Sequence, residues 1–304
     1  MKKTRELIQS NMKMVDLVVE VIDSRIPVAS RNPILPELIG EKPEIIVLNK
    51  KDLSDAAETS AWIQRLTNKT VTAIPCDCES GEGTKRLIEE LNKMNERRNS
   101  AKKWDRPLRM MIVGVPNVGK SSLINRLTKR KAAKTGDKPG VTRGKQWLSL
   151  ENGMQLLDTP GILWPNIEDQ EQGRHLAYCG AIKDEIYDIS ELCLEFIKFM
   201  LAEHKDKLYA RYKLEAPADQ STAGDQEDDS IWGADETDAE NLCTDGITPV
   251  SENGEYTPLG AMEAIASNRG FIMPGKRIDY ERCARTVLDE FRAGKIGRIT
   301  LEHA

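Results

Sequence analysis

One octapeptide constrains this chain more than its composition does. Residues 114–121 read Gly-Val-Pro-Asn-Val-Gly-Lys-Ser, the G-x-x-x-x-G-K-[ST] spacing of a phosphate-binding loop. The loop follows the apolar run Met110 to Val113 and precedes a helical pattern from Ser121 to Lys129. The chain must therefore supply a buried strand, a tight glycine turn and a helix in that order. Gly114 and Gly119 let the backbone fold back, so that successive N–H groups and the helix N-terminus face a phosphate. Lys120 then reaches the β- and γ-phosphates of a nucleotide, and the Ser121 hydroxyl is a ligand for Mg²⁺. Pro116, Asn117, Val118, Gly119 and Ser122 complete the expected lining.

The surroundings repeat the same alternation. Apolar or β-branched runs occur at Val15 to Ile22, Ile45 to Leu48, Thr70 to Pro75 and Met154 to Leu157. Helical patterns lie around Ala56 to Thr67 and Thr84 to Arg97, with Leu7, Ile8, Met12 and Val15 on one face of a further helix near the start. Strands alternating with helices predict an α/β fold, a parallel-rich sheet flanked by helices. After Pro165 the strand pattern stops. Ile186, Ile189, Cys193, Phe196 and Met200, and later Tyr280, Ala284, Val287 and Phe291, recur at helical steps. The expected division is a nucleotide domain over 1–165 and a C-terminal helical domain over 166–304.

Two further motifs choose the base. Asn49-Lys50-Lys51-Asp52 ends the strand Ile45 to Leu48. The Asp52 carboxylate can accept from both N1–H and the 2-amino group of guanine, a donor pair adenine lacks. Asn49 would brace the loops and Lys50 would lie along the base plane. Asp158-Thr-Pro-Gly161 ends another strand, where Asp158 would hold Mg²⁺ through water and the Gly161 N–H would sense the γ-phosphate. Thr142 follows Lys120 by 22 residues and suits the second hydroxyl ligand to Mg²⁺, with Lys134 to Trp147 as a mobile switch. Arg143 beside it suits a transition-state charge, a phosphate or RNA contact, or plain solvation.

The net charge of -5 conceals a split. Leu214 to Asn268 holds fourteen acidic residues and no Lys, Arg or His, while the remainder carries 44 basic against 35 acidic residues. A basic body favours polyanions such as a phosphate backbone, although a solvated surface with an acidic insertion has the same composition. The acidic stretch is too polar to bury much surface and reads as a disordered insertion near 215–260. No apolar run approaches the 18 residues of a membrane span, and the charged start MKKTRELIQS lacks a signal core. Six scattered cysteines suggest reduced thiols in a cytoplasmic protein. Cys76 and Cys78 read as small strand-end residues.

Asp52 precedes Lys120, the reverse of the motif order in ordinary small GTPases. In this the chain resembles the circularly permuted GTPases, and within them the ribosome biogenesis GTPase A family. The matching segments are Asp23-Ser-Arg-Ile-Pro27, Ser30-Arg-Asn-Pro33, Leu48 to Asp52, the phosphate loop, Lys134 to Thr142, Asp158 to Pro165, Gly180-Ala-Ile-Lys-Asp184 and Phe291 to Arg298. The resemblance implies a Mg²⁺-dependent GTPase that binds GTP and GDP, acts as a switch in late assembly of the large ribosomal subunit and touches its rRNA through the helical domain. A monomer is expected, and no membrane partner, since no amphipathic basic anchor is present; Asn117 stands where some related GTPases hold a K⁺ ion.

The chain also departs from the pattern. Ile162 replaces the water-orienting glutamine of many GTPases. The family's catalytic histidine, from a Phe-Pro-Gly-His-Met segment, would stand one residue before Met1. No catalytic residue is therefore assigned, which leaves a GTP-regulated RNA- or ribosome-binding module with little hydrolysis as the alternative. Asp77-Cys78 replaces the Ser-Ala of the guanine-contact loop, where a backbone N–H is the expected contact. His175, His204 and His303 are expected in the helical half, away from the nucleotide.

Overall fold

The computed structural model describes residues 9–101, 107–128, 147–150, 153–157, 169–215, 250 and 255–304. Thr142, Arg143, Asp158, Gly161, Ile162 and most of the acidic stretch lie outside them. The described residues divide into two compact units, one comprising Met1–Lys183 with Arg298–Ala304 and the other Asp184–Gly297.

The first unit is built on a six-stranded sheet of order β3-β2-β1-β4-β6-β5. Its strands are β1 (Leu17–Asp23), β2 (Glu44–Asn49), β3 (Val71–Pro75), β4 (Arg109–Val113), β5 (Trp147–Ser149) and β6 (Gln155–Leu157). All neighbours are parallel except the edge pair β5·β6. β1 is buried at all seven positions, Glu20 and Asp23 included, as befits a central strand of a parallel sheet covered on both faces. Trp62 packs on Ile22, Ile46, Leu48 and Ala73, while Met12, Val15, Leu35 and Ile39 close over Val18, Met111, Val113 and Leu157.

The connecting helices are α1 (Leu35–Ile39), α2 (Ala56–Leu66), α3 (Thr84–Ala101), α4 (Lys120–Thr128) and α5 (Gln170–Tyr178). Asp55 starts α2 by accepting from the N–H groups of Ala57 and Glu58, and Asp169 starts α5 by accepting from Glu171. Both carboxylates satisfy otherwise orphaned first-turn donors. The expected strands recur, as do the helices beginning near 56, 84 and 121; the helix expected on Leu7, Ile8, Met12 and Val15 lies partly outside the described residues, and the three-residue edge strand β5 carries too little pattern to be read.

The second unit contains α6 (Ile189–Glu203), α7 (Lys205–Tyr212), α8 (Pro258–Arg269), the hairpin strands β7 (Ile272–Met273) and β8 (Arg277–Ile278), and α9 (Tyr280–Arg292). Phe196 and Phe291 meet in its core with ring centroids 4.8 Å apart. Glu290 accepts from Arg211 at 2.6 and 2.9 Å and from Arg269 at 3.2 Å, joining α7, α8 and α9.

One expectation changes here. The units divide at Lys183, with 298–304 returning to the first unit, whereas the loss of strand pattern placed the boundary at 165. The end of a strand pattern does not disclose which unit the next helix joins, and α5 belongs to the unit built on the sheet. The half expected to be helical is helical, with the short hairpin β7·β8 between α8 and α9. Thr257 caps α8 through the Gly260 N–H and Pro258 occupies its first turn, so this helix begins inside the range near 215–260 expected for the insertion.

Candidate guanine nucleotide site

Both nucleotide loops leave the carboxyl ends of the strands, where parallel α/β sheets bind ligands. The phosphate loop runs from β4 into α4. Gly114 and Gly119 have φ of 154° and 97°, and neither place admits a side chain. A Cβ on Gly114 would stand 2.3 Å from the Val21 carbonyl, and one on Gly119 would stand 2.2 Å from Asn49 Nδ2. Lys120 Nζ donates to the Val115 carbonyl, arching the ammonium back over its own loop. Ser121 and Ser122 lie in the first turn of α4, half-buried. Val118 is buried beneath the loop, Pro116 is half-buried, and Asn117 is exposed with φ 59° and donates to the Gly180 carbonyl at 2.7 Å.

The base-reading loop leaves β2. Asn49 Nδ2 donates to the Val118 carbonyl at 2.6 Å while its Oδ1 accepts from the Cys78 N–H at 2.8 Å. One amide thus ties the end of β2 to the phosphate loop and to the loop after β3. Asp23 lies beside Asn49 in the β1·β2 register. Its carboxylate accepts from Arg25 Nε at 3.0 Å and Nη2 at 2.8 Å, and from Lys50 Nζ at 2.9 Å. Burial alone would raise its pKa, but the Arg25 and Lys50 charges outweigh burial and hold it well below the usual carboxylate range. Lys50, at φ 60°, is so fixed in a backbone region few lysines adopt. Lys51 N donates to the Cys76 carbonyl at 3.2 Å, and Asp52 is exposed beyond it.

In the loop after β3, Asp77 Oδ1 accepts from the N–H groups of Glu79 and Ser80 at 2.8 and 3.2 Å. Burial would raise its pKa, but these bonds and the Ser80 hydroxyl bring it below the ordinary value. Asp77 is thus a turn-maker, and the Cys78 N–H serves Asn49. Arg126 of α4 donates to the Cys78 carbonyl at 3.4 Å and to the Glu79 carbonyl. Burial pushes the Cys76 and Cys78 thiols up to about 12, which suits inert packing residues. Among the described residues no cluster of three metal-binding side chains occurs.

Sequence reasoning missed one structural contribution. Segment 298–304 runs along the base-reading loop. Arg298 Nε donates to the Asp52 carbonyl at 3.0 Å, Ile299 N to the Leu53 carbonyl at 3.0 Å, and Asp55 N to Thr300 Oγ1 at 3.0 Å. Leu301 N donates to the Arg25 carbonyl at 2.8 Å, and Trp62 Nε1 to the Glu302 carbonyl at 2.9 Å. The Glu302 carboxylate accepts from the N–H groups of Val28 and Ala29 and lies 3.1 Å from His175 Nδ1. His175 and His303, expected in the helical half, belong to the sheet unit; His303 Nδ1 lies 3.1 Å from Glu58.

A family model described as 50S ribosome-binding GTPase matches residues 109–214. Ribosome biogenesis GTPase A of Priestia megaterium is 37% identical over 307 residues, covering 99% of this chain and 94% of that protein. The chain belongs to the ribosome biogenesis GTPase A family of circularly permuted GTPases. Mitochondrial ribosome-associated GTPase 1 of Mus musculus is 33% identical, covering 99% of this chain and 88% of that protein. The crystal structure of GNP-bound YlqF from T. maritima superposes with a TM-score of 0.62 at 26% identity, covering 99% and 98% of the two chains. The permuted order is visible in the sheet: β1 to β3, with the base-reading loop, come first in sequence, and β4 adds to β1 from the other side.

Proposed function

We propose that this chain binds GTP, hydrolyses it to GDP and phosphate, and acts as a switch in late assembly of the large ribosomal subunit. Asn49 carries the nucleotide half of the reading. Its amide joins Val118 of the phosphate loop to Cys78 of the loop after β3, as a site gripping phosphate and base at once requires. The names of the matching proteins and the basic charge outside Leu214 to Asn268 support the ribosomal half. These observations favour a hydrolase over a binding module with little turnover.

In this reading the N–H groups of Gly114 to Ser121 and the Lys120 ammonium hold the β- and γ-phosphates. Asp52 accepts from N1–H and the 2-amino group of guanine, with Lys50 along the base. Ser121, Thr142 and, through water, Asp158 are hard oxygen donors suited to Mg²⁺, which would neutralise charge between the β- and γ-phosphates. Gly161 and Thr142 report whether the γ-phosphate is present. The chain works in the cytoplasm and contacts rRNA; no described helix is long and apolar enough to cross a membrane.

GTP hydrolysis measured with and without purified large subunits tests the reading. Stimulation by subunits, weakening steeply as salt rises, is the expected result; hydrolysis indifferent to them removes the ribosomal half. Subunit binding measured by sedimentation should be stronger with GTP than with GDP.

A further inference from the structure

We infer that segment Arg298–Leu301 is a positioning element of the guanine site, holding the loop after β2 so that Asp52 meets the base edge, and that guanine selectivity depends on it. The proposal rests on the guanine reading of Asp52 and goes beyond it, because none of these residues belongs to a nucleotide motif.

The base-reading loop is supported from two directions. From the sheet, Asn49 and Lys50 are held by Val118, Cys78 and the buried Asp23. These contacts stop short of Asp52, which sits inside a turn closed by Leu53 N donating to the Lys50 carbonyl at 2.9 Å. The residues beyond it are held by segment 298–304, whose donors meet the carbonyls of Asp52 and Leu53 while Thr300 Oγ1 accepts from Asp55 N. Three successive residues of the segment thus bond to three of the four residues 52–55. Their bonds are backed by burial, since Ile299, Thr300 and Leu301 are 0, 1 and 5% exposed.

The segment reaches the other support as well. Leu301 N donates to the carbonyl of Arg25, the buried arginine that shares the Asp23 carboxylate with Lys50. Segment 298–304 therefore joins the loop after β1 to the loop after β2, the two loops that flank Lys50 and Asp52. A carboxylate that must accept two donors from one rigid base edge is sensitive to small displacements, because hydrogen bonds weaken steeply with angle. Asp52 is exposed, so its direction is set by the backbone that carries it.

The test compares the two support directions by selectivity. Inosine triphosphate keeps N1–H and lacks the 2-amino group, so the ratio of its Kd to that of GTP measures how well Asp52 is aimed. Arg298→Ala with Thr300→Val removes one bond to the Asp52 carbonyl and one from Asp55 N while leaving the buried apolar residues in place. The expected result is a ratio reduced roughly 5- to 30-fold, with GTP affinity reduced more than inosine triphosphate affinity. Equal weakening of both nucleotides, with a lower melting temperature without nucleotide, would show that the segment only stabilises the fold and overturns the proposal. An unchanged ratio overturns it too. Asp52→Asn, run in parallel, separates the failures. If it leaves the ratio unchanged, the guanine reading falls and the proposal with it; if it collapses the ratio and the double variant does not, only the role of segment 298–301 is lost.

Discussion

The phosphate loop and the base-reading loop leave neighbouring parts of one sheet, but they are held in different ways. The phosphate loop is largely self-made. Two glycines in conformations closed to other residues shape it, and its own lysine folds back onto Val115. The base-reading loop depends on others: Asp23 holds Lys50, Cys78 and Val118 hold Asn49, and residues 298–300 hold Asp52, Leu53 and Asp55. A phosphate can be gripped by any backbone that turns its N–H groups inward. Reading one base against another needs a carboxylate placed in direction as well as distance, so distant segments converge on that loop.

Damage to the phosphate loop should therefore be severe and local. Lys120→Ala should weaken GTP binding by about 10- to 150-fold, the range of a lost charge-assisted contact. The melting temperature of the nucleotide-free protein should barely move, and calorimetry beside nucleotide titration checks both. A large fall in that temperature would mean that the lysine is structural and the loop not self-made.

Asn49→Ala should act on both loops at once. It strands the Val118 carbonyl and the buried Cys78 N–H, at about 2 kcal/mol, so the nucleotide-free protein should melt several degrees lower and bind GTP and GDP less well. Melting curves with and without nucleotide measure both effects. A change in affinity alone would place Asn49 on the base and not between the loops.

Asp52→Asn should leave the melting temperature alone and shift choice instead. GTP should weaken by about 10-fold, while xanthosine triphosphate, whose 2-oxo group needs a donor, should improve. Competition between the two nucleotides is the measurement, and equal behaviour before and after the change would remove Asp52 from base reading.

The smallest effect sits furthest from the nucleotide, at the start of β2. Burial, with the Glu20 carboxylate beside it, pushes the Glu44 carboxyl up to about 7 despite Arg31. A carboxyl whose folded pKa lies above its unfolded value contributes stability that is full below about 4.5 and is lost as pH rises through about 7. The stability advantage of Glu44→Gln over the parent should therefore be greater at pH 8.5 than at pH 5.5, by about 1–2 kcal/mol. Nucleotide selectivity should be unaffected at either pH. Denaturant melts at the two pH values, paired with GTP titrations, would show whether the sheet and the base loop are independent in this respect.

The same contrast explains what could be read in the residues themselves. Gly114 to Ser121 is legible because its geometry is local: the glycine spacing, preceding strand and following helix occupy one stretch of sequence. Asn49 to Asp52 is legible as a motif, and the bracing role given to Asn49 recurs in its two hydrogen bonds. Arg298, Ile299 and Thr300 were not legible as part of that site, because nothing in Gly-Arg-Ile-Thr-Leu-Glu announces a partner some 245 residues away. The unit boundary was obscured for the same reason. The end of the strand pattern near Pro165 records that the sheet gains no further strand and is silent on which unit takes the next helix.

The pairing of segment 298–304 with residues 52–58 also bears on when this protein can first become competent. β1, β2 and the base-reading loop leave the ribosome early, and in most chains a domain of this kind closes as it is synthesised, from the N-terminal side. Here the bonds that complete the loop join Asp52 to Arg298 and Asp55 to Thr300, 246 and 245 residues apart. The loop that carries Asp52 in a nascent chain therefore lacks these bonds until residue 300 has been translated. A copy made only as far as β6 would carry the strands and the phosphate loop without these bonds, and would gain them only once residues 298–300 had followed.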